Sequence, residues 1–379
     1  AAAPAASPAA PAPPALAFGM ASPLSGSDKE LGRGMKIGIE LAFAEANEAG
    51  GIQGKRLNLV ALDDGNDAAK TAEVSRDLIE KRKVLALVGN AGTSAGASAA
   101  AVATEHKVPI LGALGGAAAL PREAPERYVF AFRPGLAEET AAAVHYLVEV
   151  RRVEPGEIAF FLQDDEFGQA GWVGAAKALQ TYGRDPSAAL RVGYKHNTAD
   201  VSGAVDKLAR AGAGVKAVVM VATHRPAARL IEKLSAQSPG VIFTGASAVD
   251  AGALGEELVA AKVKLAENVV VTQVVPLASS RASAVMRYRA LLEKHALGEA
   301  PGPISLEGWV VGTLLVEALK KTGPDADPEK LVAALESVHG LDIGIGVPLG
   351  FSSADHQASH KVWGAVLQPN GAWKQTDLE

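Results

Sequence analysis

The fold is decided by residues 16–64, which read LAFGMASPLSGSDKELGRGMKIGIELAFAEANEAGGIQGKRLNLVALDD. The segment opens and closes with a short apolar run, as strands of a buried sheet do. Between these runs Leu31, Met35 and Ile39 recur every four residues, so they share one face of a helix. A strand, a helix and a second strand in this order predict a βαβ unit and a parallel sheet.

The same alternation continues along most of the chain. The predicted strands are 16–21, 57–63, 84–88, 109–112, 158–162, 217–221, 241–244 and 269–272. The predicted helices are 28–49, 68–82, 138–150, 201–211, 226–236, 280–295 and 305–321. These units are too many for one doubly wound sheet, so the sequence predicts an α/β protein with two lobes. The tail changes character, and 344–374 is predicted to be a β-ribbon with its turn at 369–371.

Composition excludes several classes of protein. The length of 379 residues is enough for about two domains, and 48% hydrophobic with 21% charged residues is typical of a globular chain. A net charge of −5 gives no sign of a nucleic-acid partner. The chain has no cysteine, which excludes disulfides, thiol nucleophiles and zinc ribbons.

No enzyme motif is present. The loop after the first strand, 22–26, reads SPLSG where a dinucleotide fold needs G-x-G-x-x-G, and the chain lacks a P-loop, a G-x-S-x-G elbow and H-E-x-x-H. The acidic residues at 164–166 are ordinary for a first helical turn, where carboxylates favour the helix dipole. We therefore expect a protein without catalytic residues, cofactor or metal.

The first fifteen residues contain only Ala, Pro and one Ser. They have no large apolar side chain to offset the entropy of ordering, so 1–15 is predicted to be a disordered leader. Small residues at the start are typical of what remains after a signal peptide is cleaved. The sequence thus favours a periplasmic or otherwise exported protein, with or without a lipid anchor in its precursor. A cytosolic protein with a low-complexity tail is the alternative. The longest uncharged stretch, 84–104, is broken by Gly, Asn, Thr and Ser, which argues against a membrane span.

Ordered local motifs give a resemblance to a known family. SPLSG at 22–26, EANEAGGIQG at 45–54 and the strand end at Asp63 and Asp64 follow one another at the start. The later matches are Val88-Gly89, VPI at 108–110, Phe132-Arg133 and DDEFG at 164–168. Over 16–375 the chain resembles the type I periplasmic solute-binding proteins of the branched-chain amino acid group.

This resemblance implies a type I periplasmic-binding fold, with two Rossmann-like, doubly wound lobes joined by three crossing hinge segments. The crossings are expected near Arg133, Gln273 and Gly346. The resulting boundaries are 16–133 with 274–345 for lobe 1, and 134–273 with 346–379 for lobe 2.

The resemblance also implies ligand-binding loops, which agree with the rule that ligands bind beyond the carboxyl ends of parallel strands. In lobe 1 the loop 89–96 offers Thr93 and Ser94 beside a helix N-terminus, which suits a carboxylate; helix capping is the plain alternative. The next loop offers Gly115 and Gly116, with backbone donors in place of the hydroxyl that is usual in the family.

In lobe 2 the expected contacts are Phe167, where the family usually has Tyr, then Thr223 and His224, and finally Ser247. The family commonly has an acidic residue at the Ser247 position to hold a ligand ammonium group. Its absence leaves two ligand classes open, an aliphatic amino acid or an aromatic or oxo acid without an amine.

Together these expectations describe an exported, monomeric solute-binding protein of an ABC uptake system. It would close on a small carboxylate-bearing ligand by hinge rotation and deliver that ligand to a membrane permease. A ligand-sensing regulator or receptor module with the same fold is the alternative.

Overall fold

The computed structural model describes residues 15–26, 28–114, 125–263, 267–323 and 325–378. The leader 1–14 thus lies outside the described residues, whereas Ala15 already pairs with Arg56 in the first sheet. The first sheet contains β1 (Ala15–Ser22), β2 (Arg56–Asp63), β3 (Leu87–Val88), β4 (Ile110–Leu111) and β5 (Val129–Phe130). The second contains β6 (Ile158–Gln163), β7 (Arg191–Tyr194), β8 (Ala217–Val221), β9 (Ile242–Gly245), β10 (Val269–Gln273), β11 (Trp363–Leu367) and β12 (Trp373–Thr376).

Eleven α-helices cover the two sheets in the described part of the chain. They are α1 (Lys29–Glu48), α2 (Ala68–Arg76), α3 (Thr93–Glu105), α4 (Leu136–His145), α5 (Glu166–Thr181), α6 (Ser202–Ala211), α7 (His224–Gln237), α8 (Ala251–Ala260), α9 (Ser283–His295), α10 (Pro303–Leu319) and α11 (Pro328–Glu336). Both α2 and α4 continue into one π-helical turn, over Asp77–Lys81 and Tyr146–Val150. None of these helices has the length and apolar character needed to span a membrane.

The two sheets share one strand order. In the first it is β2-β1-β3-β4-β5, and the parallel part of the second is β7-β6-β8-β9-β10, which is the same order displaced along the chain. The predicted doubly wound α/β lobes are thus confirmed, with the flavodoxin-like order 2-1-3-4-5 in each. In such sheets the strand order reverses between the first and third strands, and ligands bind beyond their carboxyl ends at that point.

Each sheet is buried on both faces because its strands are apolar on both sides. In β6, Phe160 packs toward α5 while Phe161, the next residue, packs toward the side covered by α6 and α7. Successive side chains of a strand point to opposite faces, so a strand covered by helices on both sides needs a continuous apolar run. This explains why the strand signals in the sequence are runs rather than alternations.

Helices α1 and α10 approach very closely on one face of the first sheet. A Cβ atom on Gly38 would lie 2.1 Å from the carbonyl oxygen of Ser305 and 2.4 Å from the backbone nitrogen of Trp309. On α10, a Cβ atom on Gly308 would lie 2.5 Å from the carbonyl oxygen of Met35. Glycines on both helices thus allow the two backbones to touch, and they bring α10 into the first lobe although it follows the second lobe in sequence.

The chain passes between the lobes three times. The first passage follows β5 at Arg133, and the second follows β10, because Val274 and Val275 already pack in the first lobe. The third was expected near Gly346, but the structure moves it later. Phe351 and Ala358 pack in the first lobe, and Ala131 pairs with Gln357 beside β5. We therefore place the third boundary near residue 360, just before β11.

The tail is a β-ribbon over only part of its predicted length. β11 and β12 form an antiparallel hairpin at the edge of the second sheet, and Gly371 lies in the turn between them with φ +83°. Residues 344–362 form loops with isolated bridges, because their apolar side chains pack against the first lobe instead of pairing as strands. The short strands β5 and β7 were not predicted.

Candidate functional site

A cavity of about 210 Å³ lies between the lobes, at the carboxyl ends of the strands where the order reverses in each sheet. Both lobes and the first crossing contribute to it. The residues that line it are Asp28, Leu31, Asn66, Gly92, Thr93, Ser94, Ala113, Leu114, Arg133, Pro134, Gly135, Leu136, Gln163, Asp165, Phe167, His196, Thr223 and Ala248. Its position is that of a ligand site in an open α/β sheet.

The loop after β1 is held in place by the end of β2. Asp63 accepts hydrogen bonds from the backbone N–H groups of Leu24 (2.9 Å) and Ser25 (3.2 Å) and from the Ser25 hydroxyl (2.6 Å). The hydroxyl bond and the backbone donors lower the pKa of Asp63 to about 2. The SPLSG motif and the aspartate at the strand end are therefore one structural unit, which fixes the start of α1 beside the cavity.

The N-terminus of α3 forms the lobe 1 wall. Gly92 precedes it with φ +100°, and a Cβ atom there would lie 2.0 Å from the side-chain oxygen of Asn66, so only glycine fits. Thr93 and Ser94 then begin the helix, and both line the cavity. The Ser94 hydroxyl donates to Glu166 Oε2 of the second lobe at 2.8 Å. This contact joins the lobes across the cleft.

The DDEFG motif forms the opposite wall. Asp165 caps α5 by accepting from the N–H groups of Phe167 (3.0 Å) and Gly168 (3.4 Å), and it also accepts from the Gln163 amide at 2.6 Å. Phe167 packs against Leu136 at the cavity edge. Asp165 thus serves the start of the helix, as the sequence indicated for carboxylates in a first helical turn.

Of the remaining residues that the sequence predicted as ligand contacts, some line the cavity and others do not. Thr223 lines the cavity, and His224 lies one residue further, in an adjoining space of about 110 Å³, with Nε2 3.9 Å from Glu257. Ser247 lies behind the wall instead of in it, because its N–H and hydroxyl are bound to Glu139, while its neighbour Ala248 lines the cavity. Gly115 and Gly116 lie outside the described residues.

Three buried charged side chains, Arg133, Glu139 and Glu307, form what we call the crossing cluster. Arg133 lies 2.7 Å from Glu139 and 3.4 Å from Glu307, and each of the three side chains is at most 6% exposed. Arg133 also donates to the Ser247 hydroxyl. Burial raises the pKa of Glu307 to about 7, while Arg133 acts to lower it and Glu139 to raise it.

The structure adds polar residues that sequence reasoning missed. Asp28 and Asn66 follow β1 and β2, and the amide of Asn66 donates to Asp28 Oδ2 at 2.8 Å. His196 follows β7, with Nδ1 3.6 Å from Asp165. All three come shortly after the carboxyl end of a strand. A search for polar residues after the end of every predicted strand could have identified Asp28 and Asn66. It could not have identified His196, because the strand before it, β7, was not predicted.

Comparisons with known proteins agree on the family. The periplasmic binding protein family model matches residues 15–372. A possible leucine/isoleucine/valine-binding protein from Rhodopirellula baltica has a crystal structure similar to this one, with 36% identity, a TM-score of 0.90 and coverage of 96% of this chain and 97% of that one. A substrate-binding periplasmic protein from Ralstonia solanacearum follows with 26% identity, a TM-score of 0.85 and coverage of 95% and 100%.

Among curated sequences the match is shorter. A Leu/Ile/Val-binding protein homolog from Brucella abortus is 28% identical over 206 residues, which cover 52% of this chain. The chain spans about half the length of this relative. The family model, the strand order and the interlobe cavity agree, and this chain therefore belongs to the type I periplasmic binding proteins of the branched-chain amino acid group.

Proposed function

We propose that this chain is the exported solute-binding component of an ABC uptake system and that it captures a small carboxylate-bearing solute between its lobes. The observation that carries the proposal is the cavity at the reversal points of both sheets, which is lined by residues from both lobes. Its volume of about 210 Å³ lies below the range of roughly 300–1,000 Å³ that is usual for larger ligands, which favours a small solute. The solute would then pass to a membrane permease.

The solute carboxylate would bind at the start of α3. The first N–H groups of a helix point out of its N-terminus, and the helix dipole favours an anion there. Gly92 and Thr93 lie at this end and line the cavity, and the residue before the helix, Gly92, has no side chain that could cap it. Leu31, Leu114 and Phe167 supply apolar surface for a hydrocarbon side chain.

The carboxylates of Asp28 and Asp165 favour a solute that also carries an ammonium group. Both line the cavity, on opposite lobes, and a carboxylate is a natural partner for a buried ammonium. These groups supply in another place the acidic partner that is absent at Ser247. An aliphatic amino acid is therefore the favoured solute, in agreement with the leucine/isoleucine/valine naming of the Rhodopirellula and Brucella relatives.

A thermal-shift screen tests this proposal directly. The chain is incubated with leucine, isoleucine and valine, and in parallel with their 2-oxo acids and benzoate. A solute that binds only the folded state raises the melting temperature, by an amount that corresponds to about 2.7 kcal/mol at one hundred times its Kd. A shift with the oxo acids or benzoate alone would exclude the amino acids, and no shift with any acid would overturn the proposed function.

Filling the cavity should reduce this shift. Ala248→Phe adds a ring where Ala248 lines the cavity, and we expect an affinity loss of at least about tenfold, because overlap with the bound solute costs 1.4 kcal/mol or more. Ala213→Phe is the matched control, since Ala213 is exposed in the same lobe. Isothermal titration with the solute found in the screen measures both variants. Unchanged binding by Ala248→Phe would place the site elsewhere.

The Ser94–Glu166 contact should slow solute release. Opening the cleft must break this hydrogen bond, so Glu166→Gln is expected to speed release about two- to fivefold, as suits a partly exposed bond to a charged group. Stopped-flow release rates for Glu166→Gln, Ser94→Ala and the double variant form a double-mutant cycle. Glu256→Gln, at an exposed residue of the same lobe, is the control. Strictly additive effects would show that the contact does not hold the cleft closed.

A further inference from the structure

The crossing cluster lies where the first crossing meets both lobes. Arg133 is on the first crossing, Glu139 is on α4 of the second lobe, and Glu307 is on α10 of the first. Thr272, one residue before the end of β10 and the second crossing, also donates its hydroxyl to Glu139. Removing charges from water is costly, and a buried cluster of this kind is weak support for stability alone. Its position favours a part in the movement of the lobes.

The cluster is bound unevenly to the two lobes. On the second lobe, Glu139 accepts from Arg133 at 2.7 Å and from the N–H and hydroxyl of Ser247 at 2.8 and 2.9 Å. On the first lobe, Glu307 is 3.4 Å from Arg133. Rotation of the lobes would therefore change the surroundings of Glu307 before it disturbed the Arg133–Glu139 pair.

The cluster holds one more negative than positive charge when both glutamates are ionised. Burial raises the pKa of Glu307 to about 7, and Glu139 adds to this rise while Arg133 opposes it. A proton on Glu307 removes the excess charge from the buried cluster.

The charged groups that act on Glu307 are Arg133 and Glu139. Helices α1, α9 and α11 also pack against α10, and most of their charged side chains lie near the surface. Their surface pairs include Lys36–Glu40, Arg287–Glu45, Lys294–Glu48, Arg127–Glu329 and Lys330–Asp327. Lys29, Arg289 and Glu293 are exposed, whereas Glu336 of α11 lies 3.2 Å from the buried His356. The proton on Glu307 thus responds to the crossing and to α4.

The cavity connects this cluster to solvent. Arg133 lines the cavity, so opening the cleft admits water to the side of the cluster that Arg133 covers. A carboxyl group that gains water holds its proton less tightly. Resting on the proposed function, we infer that Glu307 is a positioning residue, which acts through Arg133 on the cavity wall at 133–136 and takes up a proton when the lobes close.

The test measures lobe closure at different pH values. Because the chain has no cysteine, Met286→Cys on α9 and Val259→Cys on α8 place one dye on each lobe, both at exposed positions. Energy transfer between the dyes reports the closed fraction, without solute and with the acid that gives the largest thermal shift. When the pH is lowered from about 8.5 to about 5.5, we expect the ratio of closed to open molecules to increase. The increase should be up to about tenfold for each unit by which the pKa of Glu307 differs between the closed and the open state.

Glu307→Gln carries no titrating proton, so it should be as closed at high pH as the parent is at low pH. Glu317→Gln, at a half-buried glutamate of the same helix that pairs with Lys320 at the surface, should behave like the parent. A parent with no pH response, or a Glu307→Gln variant that keeps the response, would overturn the inference. If no solute changes energy transfer at any pH, the proposed function fails instead.

Proton uptake gives a second measurement that needs no variant. Titration of the parent with the same acid near pH 7, in buffers of different ionisation enthalpy, should show uptake of a fraction of a proton on binding. Release of protons, or no exchange, would contradict the inference even if Glu307→Gln failed to fold.

Discussion

Replacing Arg133 with alanine should lower the free energy of unfolding by about 3–5 kcal/mol, because it leaves two buried carboxylates without their counter-charge. Glu139 and Glu307 are both at most 3% exposed, so water solvates their carboxylates poorly. Urea unfolding followed by circular dichroism measures the loss as a shift of the midpoint at constant slope.

The loss should depend on pH. The pKa of Glu307 is about 4.5 in the unfolded chain and about 7 in the folded protein. Protonation of Glu307 therefore stabilises the fold fully at pH values below about 4.5, and this stabilisation is lost as the pH rises through about 7. Without Arg133 that pKa rises further, and the deficit of Arg133→Ala should shrink toward acid pH. Arg127→Ala, which breaks an exposed pair with Glu329, is the control and should cost under about 1 kcal/mol. Equal losses in the two variants would show that the crossing cluster is not a buried charge network.

Gly38→Ala should destabilise the fold by about 1–3 kcal/mol, although it adds one methyl group to a helix. Alanine ordinarily favours a helix over glycine by up to about 1 kcal/mol. Here the new carbon would lie 2.1 Å from the Ser305 carbonyl oxygen, and backbone atoms of α10 cannot move aside like a flexible side chain. The helices α1 and α10 would have to separate, which loosens the first lobe.

The same substitution at a glycine in open space should have the opposite effect on stability. Gly203 lies in the first turn of α6 with nothing within 4 Å of its Cβ position, so Gly203→Ala should stabilise the fold by up to about 1 kcal/mol. Thermal unfolding of both variants tests the pair. A neutral or stabilising Gly38→Ala would mean that the backbone contact between α1 and α10 is not as close as described.

The elements that sequence predicted well are those with long regular patterns. Helix α1 was predicted over 28–49 and spans Lys29–Glu48, and β8 was predicted at its observed bounds. The strand β5 has only two residues, too few to show a period. The third boundary was misplaced because Phe351 and its apolar neighbours could either pair as strands or pack as loops. Contacts with the distant first lobe decide between these outcomes.

The candidate site likewise has residues that sequence could predict and residues that it could not. Thr93, Phe167 and Thr223 line the interlobe cavity, and they were predicted as contacts because each follows the carboxyl end of a strand, a position that sequence can locate. The crossing cluster was invisible, since 174 residues separate Arg133 from Glu307 and no local pattern connects them. Ser247 was expected to face the ligand, but whether a side chain points into a cavity or behind its wall depends on such distant partners.

The interleaving of the lobes also determines the order in which they can be completed during synthesis. α9, α10 and α11 pack on the first lobe, yet the ribosome makes them after strands β6 to β10 of the second. The second sheet in turn receives β11 and β12 later still. Neither lobe can therefore mature before the other has been largely made, and no single proteolytic cut between β5 and β11 releases an intact lobe.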